Sequence, residues 1–229
     1  GGGLAGLVSS IELAKGGFDV TLIERKTYPF HRVCGEYVSN EVKTYLEQLG
    51  LSFESLGVSQ INRFQFSSPS GRILETELDL GGFGISRYSF DFELFKIATQ
   101  AGVKFVLNEQ VEAIDYKTER QQFEVKTANG QVFESKLVLG AYGKNAKLDK
   151  TLQRDFAQKK SPYLGVKYHI RTDFPKDLIA LHNFEDGYCG ISAIEDNKYC
   201  LCYLTTRHQL RRFKNISEME QAILYKNPH

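Results

Sequence analysis

The stretch that decides the fold is "GGGLAGLVSSIELAKGGFDVTLIERK", residues 1–26. It opens with a GxGxxG spacing formed by Gly1, Gly3 and Gly6. Apolar residues then recur at helical spacing up to a glycine pair, and the β-branched run "FDVTLIE" closes on Glu24. This order of loop, helix, strand and terminal acid predicts a dinucleotide-binding unit.

Each part of this pattern has a physical role in holding a dinucleotide. The first glycine allows a tight turn, the second admits a pyrophosphate close to the backbone, and the third lets helix and strand pack together. The helix N-terminus offers free N–H groups to the phosphates, and Glu24 accepts hydrogen bonds from a ribose. A strand should precede the loop, and none precedes Gly1 in this sequence. We therefore expect a fragment of a larger protein whose first strand is missing.

Composition and charge limit the classes of function that the chain can have. The 229 residues include 29 basic and 28 acidic ones, a formal net charge of +1, so nothing indicates a nucleic-acid partner. The four cysteines show no CxxC spacing, and we predict no metal site. The sequence shows neither a signal peptide nor an apolar span long enough to cross a bilayer, which favours a cytoplasmic protein with no transmembrane segment. Peripheral membrane contact stays open.

The first half of the remaining chain predicts helices and hairpins. After Glu24 and a loop broken by Pro29, one helix is expected to carry Val38, Val42, Tyr45, Leu46 and Leu49 and to stop at Gly50. Residues 59–80 form two alternating runs around "SSPSG", which predicts a β-hairpin. A helix with Ser89 as its N-cap should follow.

The second half is predicted to be rich in strands. Asn129-Gly130 marks a hairpin in a β-meander whose last strand, "KLVLGA", is apolar enough to be buried. Further turns are expected at residues 185–187 and 195–197, and a helical stretch near Ser217.

Nucleotide-binding segments and strand-rich segments alternate along the chain. This alternation predicts two domains, each built from discontinuous segments. Residues 1–55 and 86–157 would form the nucleotide-binding domain. Residues 56–85 and 158–229 would begin a mainly antiparallel sheet domain that holds a substrate. Their shared alternation suggests that residues 59–80 and 161–205 belong to one sheet.

The order of motifs resembles the FAD-dependent oxidoreductases of the p-hydroxybenzoate hydroxylase type, and within them the geranylgeranyl reductase branch. The resemblance covers most of the chain and rests on "GGGLAG" with Glu24, "ERKTYPFHRVCGE", "ISRYSFDFELFKIATQAGVKF" and "LVLGAYGKN". It implies an α/β fold in which a Rossmann-like FAD-binding domain is interleaved with an antiparallel-sheet substrate domain. The residues it places against FAD are Gly1, Gly3, Gly6, Glu24, Arg25, Arg32, Arg87, Val111, Gly140 and Gly143.

The resemblance also suggests individual roles. Arg25 would lie near the adenine or ribose and Arg32 on the flavin side, although either can be a plain surface arginine. Arg87 would lead into a helix beside FAD or cap at the domain boundary. The strand backbone at Val111 would meet the adenine. The "CGE" run resembles a CGG-type turn near the flavin ring, with Glu36 as the departure. Cys34, Tyr188 and Cys189 are substrate-cavity candidates, and the alternative for each is that it fills the core.

Two departures bear on the cofactor. The family pattern GADGxxS reads "GAYGKNA" here, with Tyr142 in place of Asp and Ala146 in place of Ser. We expect the turn at Gly140 and Gly143 to persist and the side-chain contacts to be lost. A third fingerprint, a Gly-Asp pair, would lie beyond His229, so we expect the C-terminus to be truncated.

The resemblance implies flavin-dependent oxidoreduction. In such a protein FAD supplies the chemistry, and the protein supplies orientation and water exclusion. The chain would be a geranylgeranyl reductase-like alkene reductase acting on an isoprenoid, or a monooxygenase of aromatic or polyketide-like rings, with NAD(P)H as possible electron donor. An NAD-linked dehydrogenase without flavin and a non-catalytic FAD-binding protein stay open. Glu24 argues against NADP, since it would repel a 2′-phosphate. No residue is identified as catalytic.

Overall fold

The computed structural model describes residues 1–144, 147–159 and 161–229. The helices are α1 Leu4–Lys15, α2 Lys43–Leu49, α3 Phe53–Leu56, α4 Arg87–Gln100, α5 Lys147–Thr151, α6 Arg207–Arg211 and α7 Ile216–Ile223. The strands are β1 Thr21–Glu24, β2 Tyr37–Ser39, β3 Ser59–Ser67, β4 Ile73–Gly84, β5 Lys104–Leu107, β6 Val111–Lys117, β7 Gln122–Thr127, β8 Val132–Ser135, β9 Tyr163–Ile170, β10 Leu178–Phe184, β11 Gly187–Ala193 and β12 Tyr199–Thr206.

The chain divides into two compact units built from discontinuous segments. The first contains Gly1–Phe30 and Phe90–Lys160, and the second contains His31–Ser89 and Ser161–His229. Residues 31–55 therefore lie in the second unit. The sequence pattern instead predicts them in the nucleotide-binding domain. The reason for the difference is that β2 pairs with β4 and so joins the large sheet of the second unit.

The first unit contains the predicted loop, helix and strand. Helix α1 buries Leu7 and Ile11 completely, and β1 pairs in parallel with β5. A separate antiparallel meander, β6-β7-β8, turns at Gly130, whose φ of +87° suits the predicted hairpin. These elements confirm the α/β, Rossmann-type reading of residues 1–26.

The predicted buried strand "KLVLGA" is not formed. Strand β8 ends at Ser135, and the side chains of Leu137 and Leu139 are 75% and 61% exposed. Apolar residues enter a sheet only where a neighbouring strand satisfies their backbone groups. In the part of the chain that the structure describes, no strand pairs with residues 137–139.

Two helix starts differ from the prediction. Val38 belongs to β2 and α2 begins only at Lys43, because Val38 pairs with Phe83 in the sheet. The expected stop is confirmed, with Gly50 in the left-handed region at φ 111°. Helix α4 begins at Arg87, before the expected cap Ser89, and the Ser86 hydroxyl accepts the Ser89 N–H at 3.1 Å.

The second unit is built on one seven-stranded sheet in the order β2-β4-β3-β10-β11-β12-β9. Strands β3 and β10 are parallel, and the other neighbours are antiparallel. Residues 59–80 and 161–205 thus share one sheet, as the sequence predicted.

The two faces of this sheet differ in character, since successive side chains point to opposite sides. On one face Met219 and Ile223 of α7 pack with Phe184 and Tyr203 of the sheet in a buried cluster. The opposite face carries Lys167 and His169 of β9 beside Cys202 and Cys200 of β12. We call this second side the polar face.

Among the described residues, no helix has both the length and the apolar character needed to cross a bilayer.

We predict that Met219→Ala will lower the free energy of unfolding by about 2–5 kcal/mol, because it leaves a cavity under α7. Met219 has no exposed surface, so the lost contacts are core contacts. Met219→Leu keeps most of the volume and should cost less than about 1.5 kcal/mol. Urea denaturation of both variants measures the difference, and equal losses would contradict packing at this position.

Candidate functional site

The glycine-rich loop of the first unit leads directly into α1. Gly3 is the N-cap in an extended conformation, and its carbonyl accepts the Leu7 N–H at 2.9 Å. The N–H groups of the first helical turn have no acceptor within the helix. These groups, at the positive end of the helix dipole, are the donors that a phosphate needs.

The close backbone packing around this loop requires glycine. A Cβ on Gly6 would overlap the carbonyl oxygen of Gly1, and a Cβ on Gly1 would overlap the carbonyl oxygen of Ala141. Ala141 and Tyr142 therefore lie against the loop, and Gly143, which follows them, has a φ of +75°. The backbone thus leaves a side-chain-free cradle of the kind that the pyrophosphate of a dinucleotide needs. The replaced serine position, Ala146, lies outside the described residues.

The acid at the end of β1 holds this loop in place. Glu24 is 6% exposed, and its two carboxylate oxygens accept the N–H groups of Gly2 at 2.7 Å and Lys26 at 3.1 Å. The Tyr28 hydroxyl donates to the Gly2 carbonyl at 2.6 Å. The Glu24 carboxylate therefore ties the end of β1 to the glycine-rich loop.

The other predicted cofactor residues are spread over both units. Arg25 is exposed, and Val111 is half-buried at the start of β6 opposite Thr127. Arg32 and Arg87 lie in the second unit and are half-buried. The structure therefore brings Gly1, Gly3, Gly6, Glu24, Gly140 and Gly143 together, and the FAD contacts of all ten residues stay predictions.

A buried carboxylate, Glu36, organises the polar face of the second unit. Its oxygen Oε1 accepts from Lys167 Nζ at 2.6 Å and from the Arg87 N–H at 2.8 Å. Its oxygen Oε2 lies 2.6 Å from His169 Nε2. The side chains of Glu36, Lys167 and His169 are 0%, 7% and 18% exposed. We call these three residues the Glu36 cluster.

Local backbone geometry explains how the Glu36 cluster forms. Lys167 and His169 are two residues apart on β9 and so share a face. Glu36 has a φ of +57°, an uncommon left-handed conformation for a residue other than glycine, and its carbonyl accepts the Ile85 N–H at 3.1 Å. Such strain persists only where the surroundings hold it, and it often marks functional sites.

A second histidine lies beside the Glu36 cluster. The His31 ring stacks on Tyr88 with a 4.7 Å centroid separation and meets the His169 ring edge-on at 5.2 Å. Burial first, and then the electrostatic influence of Lys167 and His169, lower the pKa of His31 below its usual 6.5. His31 is therefore neutral at physiological pH.

The ligand atoms of Glu36, His169 and Cys200 lie within 4.8 Å of one another, a spacing that a metal ion could bridge. However, the Lys167 ammonium already lies 2.6 Å from the Glu36 carboxylate. Burial, reinforced by the charge of Glu36, also raises the pKa of the Cys200 thiol, whereas metals bind the thiolate. The arrangement thus suits proton transfer better than metal binding.

The three cavity candidates do not share one surface. The Cys34 carbonyl accepts from the Cys200 thiol at 3.4 Å, and Tyr188 is 40% exposed on the polar face. Cys189 is next to Tyr188 on β11 and therefore points to the opposite face, where it packs under α7 and burial raises its pKa to about 12. A cavity that contains Cys34 and Tyr188 therefore excludes Cys189.

Sequence reasoning noted Glu36 only as a departure from a family turn and missed Lys167 and His169. The available signal was the alternation in "VKYHI", which places Lys167 and His169 on one face of a strand. No local pattern links that strand to Glu36, more than 100 positions away.

A third buried acid, Glu195, fixes the start of α4. Its carboxylate accepts the Ser86 N–H at 2.8 Å, the Ser89 hydroxyl at 2.8 Å and the Ser86 hydroxyl. Burial opposes the charge, but the hydrogen bonds from Ser86 and Ser89 outweigh it and hold the pKa of Glu195 below its usual 4.5.

Comparison with known proteins supports a flavoprotein. Residues 1–55 match the family described as pyridine nucleotide-disulphide oxidoreductase. Menaquinone reductase of Mycobacterium tuberculosis is 23% identical over 184 residues, 77% of this chain and 44% of that protein. The chain thus spans less than half the length of this curated relative.

Two solved structures show the same fold. The flavin-dependent halogenase CmlS aligns with a TM-score of 0.77 at 21% identity, over 93% of this chain and 42% of that one. PqsL of Pseudomonas aeruginosa, described as "a probable FAD-dependent monooxygenase", aligns with a TM-score of 0.73 at 16% identity, over 93% and 60%. The fold is therefore that of FAD-binding, Rossmann-type flavoproteins, and the similarities together support a flavin oxidoreductase.

We predict that Glu195→Gln will destabilise the protein at neutral pH by about 1–3 kcal/mol, since it weakens charge-assisted hydrogen bonds. Because the folded-state pKa is depressed, this stabilisation is present above pH 4.5 and is lost as the pH falls through the folded-state pKa. The difference between variant and wild type should therefore shrink in acid. Denaturation midpoints across pH measure it, with the exposed Glu185→Gln as control, and a gap that stays constant would contradict the assignment.

Proposed function

We propose that this chain is the cofactor-binding and substrate-binding part of an FAD-dependent oxidoreductase. The observation that carries the proposal is the buried Glu24 carboxylate, which accepts the Gly2 N–H and so lies at the end of β1 beside the glycine-rich loop that begins α1. When bound, FAD would supply the hydride or electron transfer. The chain's own residues bind and orient it.

Each group in and around the glycine-rich loop can be assigned to one part of FAD. The cradle of Gly1, Gly3 and Gly6 with the first turn of α1 would bind the pyrophosphate, and Glu24 would bind the adenosine ribose. An acid at this position would repel a 2′-phosphate, which argues against NADP in the same loop. The further contacts that we propose are Arg25, Arg32, Arg87, Val111, Gly140 and Gly143. The flavoprotein fold favours FAD over the NAD-linked dehydrogenase alternative.

For the reaction we favour a reductase of an isoprenoid or quinone-type substrate, with NAD(P)H as electron donor. The support is the similarity to a menaquinone reductase along 77% of this chain. The second candidate is an aromatic monooxygenase, which the fold shared with PqsL supports. A geranylgeranyl reductase-like activity is one form of the first candidate.

We predict that the protein purifies with bound FAD and that Glu24→Gln weakens FAD binding about ten-fold to a hundred-fold, because a charged acceptor is lost. Flavin fluorescence titration of protein stripped of cofactor measures the affinity. Glu119→Gln, an exposed acid of the same unit, is the matched control and should bind as wild type does. Protein that binds NAD tightly and no FAD would refute the proposal.

The two candidate reactions differ in their need for oxygen. We expect photoreduced protein mixed with a short-chain menaquinone without oxygen to regain the oxidised flavin spectrum, and the product to gain two hydrogens by mass spectrometry. A flavin that is reoxidised only after oxygen is admitted, with one oxygen atom added to an aromatic substrate, would favour the monooxygenase instead.

A further inference from the structure

We propose that His169, positioned by the buried carboxylate of Glu36, accepts the proton of an acidic hydroxyl on a bound molecule, and that Lys167 binds the oxygen anion that results. The ligand would carry a phenol, enol or hydroquinone hydroxyl on an apolar body. The inference rests on the proposed function, because it specifies how the second unit recognises the substrate.

The tautomer of His169 follows from its partner. A carboxylate only accepts hydrogen bonds, so the short contact between His169 Nε2 and Glu36 Oε2 requires the proton on Nε2. In neutral His169 the lone pair is then on Nδ1, and no residue in the described ranges donates to that atom. A base oriented in this way accepts a proton at Nδ1, and Glu36 stabilises the imidazolium that forms.

Lys167 supplies donors for the oxygen anion. Its side chain is more than nine-tenths buried, and its ammonium has three N–H groups. One of them donates to Glu36, and no residue in the described part of the chain accepts a hydrogen bond from the other two. Fixed donors in a place with little water stabilise a developing oxyanion far better than solvent-exposed ones do.

The neighbouring histidine and thiols add no competing charge. His31 is neutral, as argued above, and the thiols of Cys200 and Cys202 stay protonated because burial raises their pKa values. Cys34 lies close to Cys200, and Lys198 adds a weaker positive influence on His31. The Glu36 cluster therefore sets the charge that a ligand meets here.

The polar face continues from this cluster into apolar surface. Strand register leads from Lys167 to Cys202, Gly190 and Leu181, and then to Phe66. Leu181 is half-buried and Phe66 is 41% exposed. A molecule whose hydroxyl meets Lys167 and His169 would thus lay an apolar body along the sheet.

The proposed step conserves atoms and electrons. The ligand O–H bond breaks, its proton forms a bond to His169 Nδ1, and the electron pair stays on the ligand oxygen. The reverse step returns the proton to the oxygen. Nothing is oxidised or reduced, so the step serves a reductase or a monooxygenase equally.

The test uses the flavin-loaded protein and 4-nitrophenol, whose ionised form is coloured. At a pH below the pKa of the free probe, we expect wild-type protein to bind it as the coloured anion. Lys167→Met and His169→Gln should each weaken binding of the anion about ten-fold to a hundred-fold. Glu36→Gln should lower the fraction of bound 4-nitrophenol that is ionised, because the imidazolium of His169 loses its carboxylate partner. Lys176→Met, an exposed lysine of the same unit, should leave the spectrum unchanged.

A second probe separates chemistry from structural damage. Nitrobenzene has the same ring without a hydroxyl, so its binding should be equal in wild type and Lys167→Met. Probe bound as neutral phenol, no binding to wild type, or equal ionisation in Lys167→Met would each overturn the proposal. Binding of 4-nitrobenzoate in place of 4-nitrophenol, with dependence on Lys167, would replace proton transfer by simple anion binding and also overturn it.

The flavin content of each preparation keeps this proposal distinct from the proposed function. Protein that binds no FAD but still ionises the probe would refute the flavoenzyme and leave the His169 step standing. Protein that retains FAD in every variant and never ionises the probe would do the reverse.

Discussion

One carboxylate with no exposed surface connects three segments of the second unit that are far apart in sequence. Glu36 accepts from the backbone N–H of Arg87, from Lys167 and from His169. Strands β2, which follows Glu36, and β9, which carries both side chains, are the two edges of the seven-stranded sheet. Removing one partner from such a buried pair is costly, because the remaining charge is left desolvated. The position of the loop before β2 therefore depends on this ion pair.

At three places a buried carboxylate accepts a backbone N–H at or just before the start of a helix. Glu24 accepts the N–H of Gly2 ahead of α1, and Glu36 and Glu195 accept the N–H groups of Arg87 and Ser86 at the start of α4. A carboxylate at a helix N-terminus satisfies unpaired donors and complements the helix dipole. In each case the acid lies outside the helix whose start it contacts, so the helix start is fixed by tertiary structure. Both helices are the ones that the sequence assigned to the cofactor.

The extent to which the sequence predicted the structure depended on the distance between interacting residues. Glu24 and the glycine loop lie within 24 residues, and their spacing was sufficient to predict the fold. The turn at Gly130 was predictable for the same reason. Val38 and Leu137 were misplaced, because composition does not reveal whether a partner strand exists. The Glu36 cluster joins residues 131 and 133 positions apart, and only the tertiary fold of the loop before β2 brings them together.

The Glu36 cluster can stabilise the fold and move a proton because the proton transfer does not change its net charge. The proposed step starts from a neutral imidazole and a neutral hydroxyl, with the opposite charges of Glu36 and Lys167 paired. After transfer, the imidazolium lies against Glu36 and the oxygen anion lies against Lys167, so each charge keeps a partner of opposite sign. In a site with little water, charge interactions are strong and an unpaired charge is costly. Proton transfer from the ligand hydroxyl to His169 leaves the net charge unchanged and so avoids that cost. Uptake of a proton or an ion from solvent would add an unpaired charge.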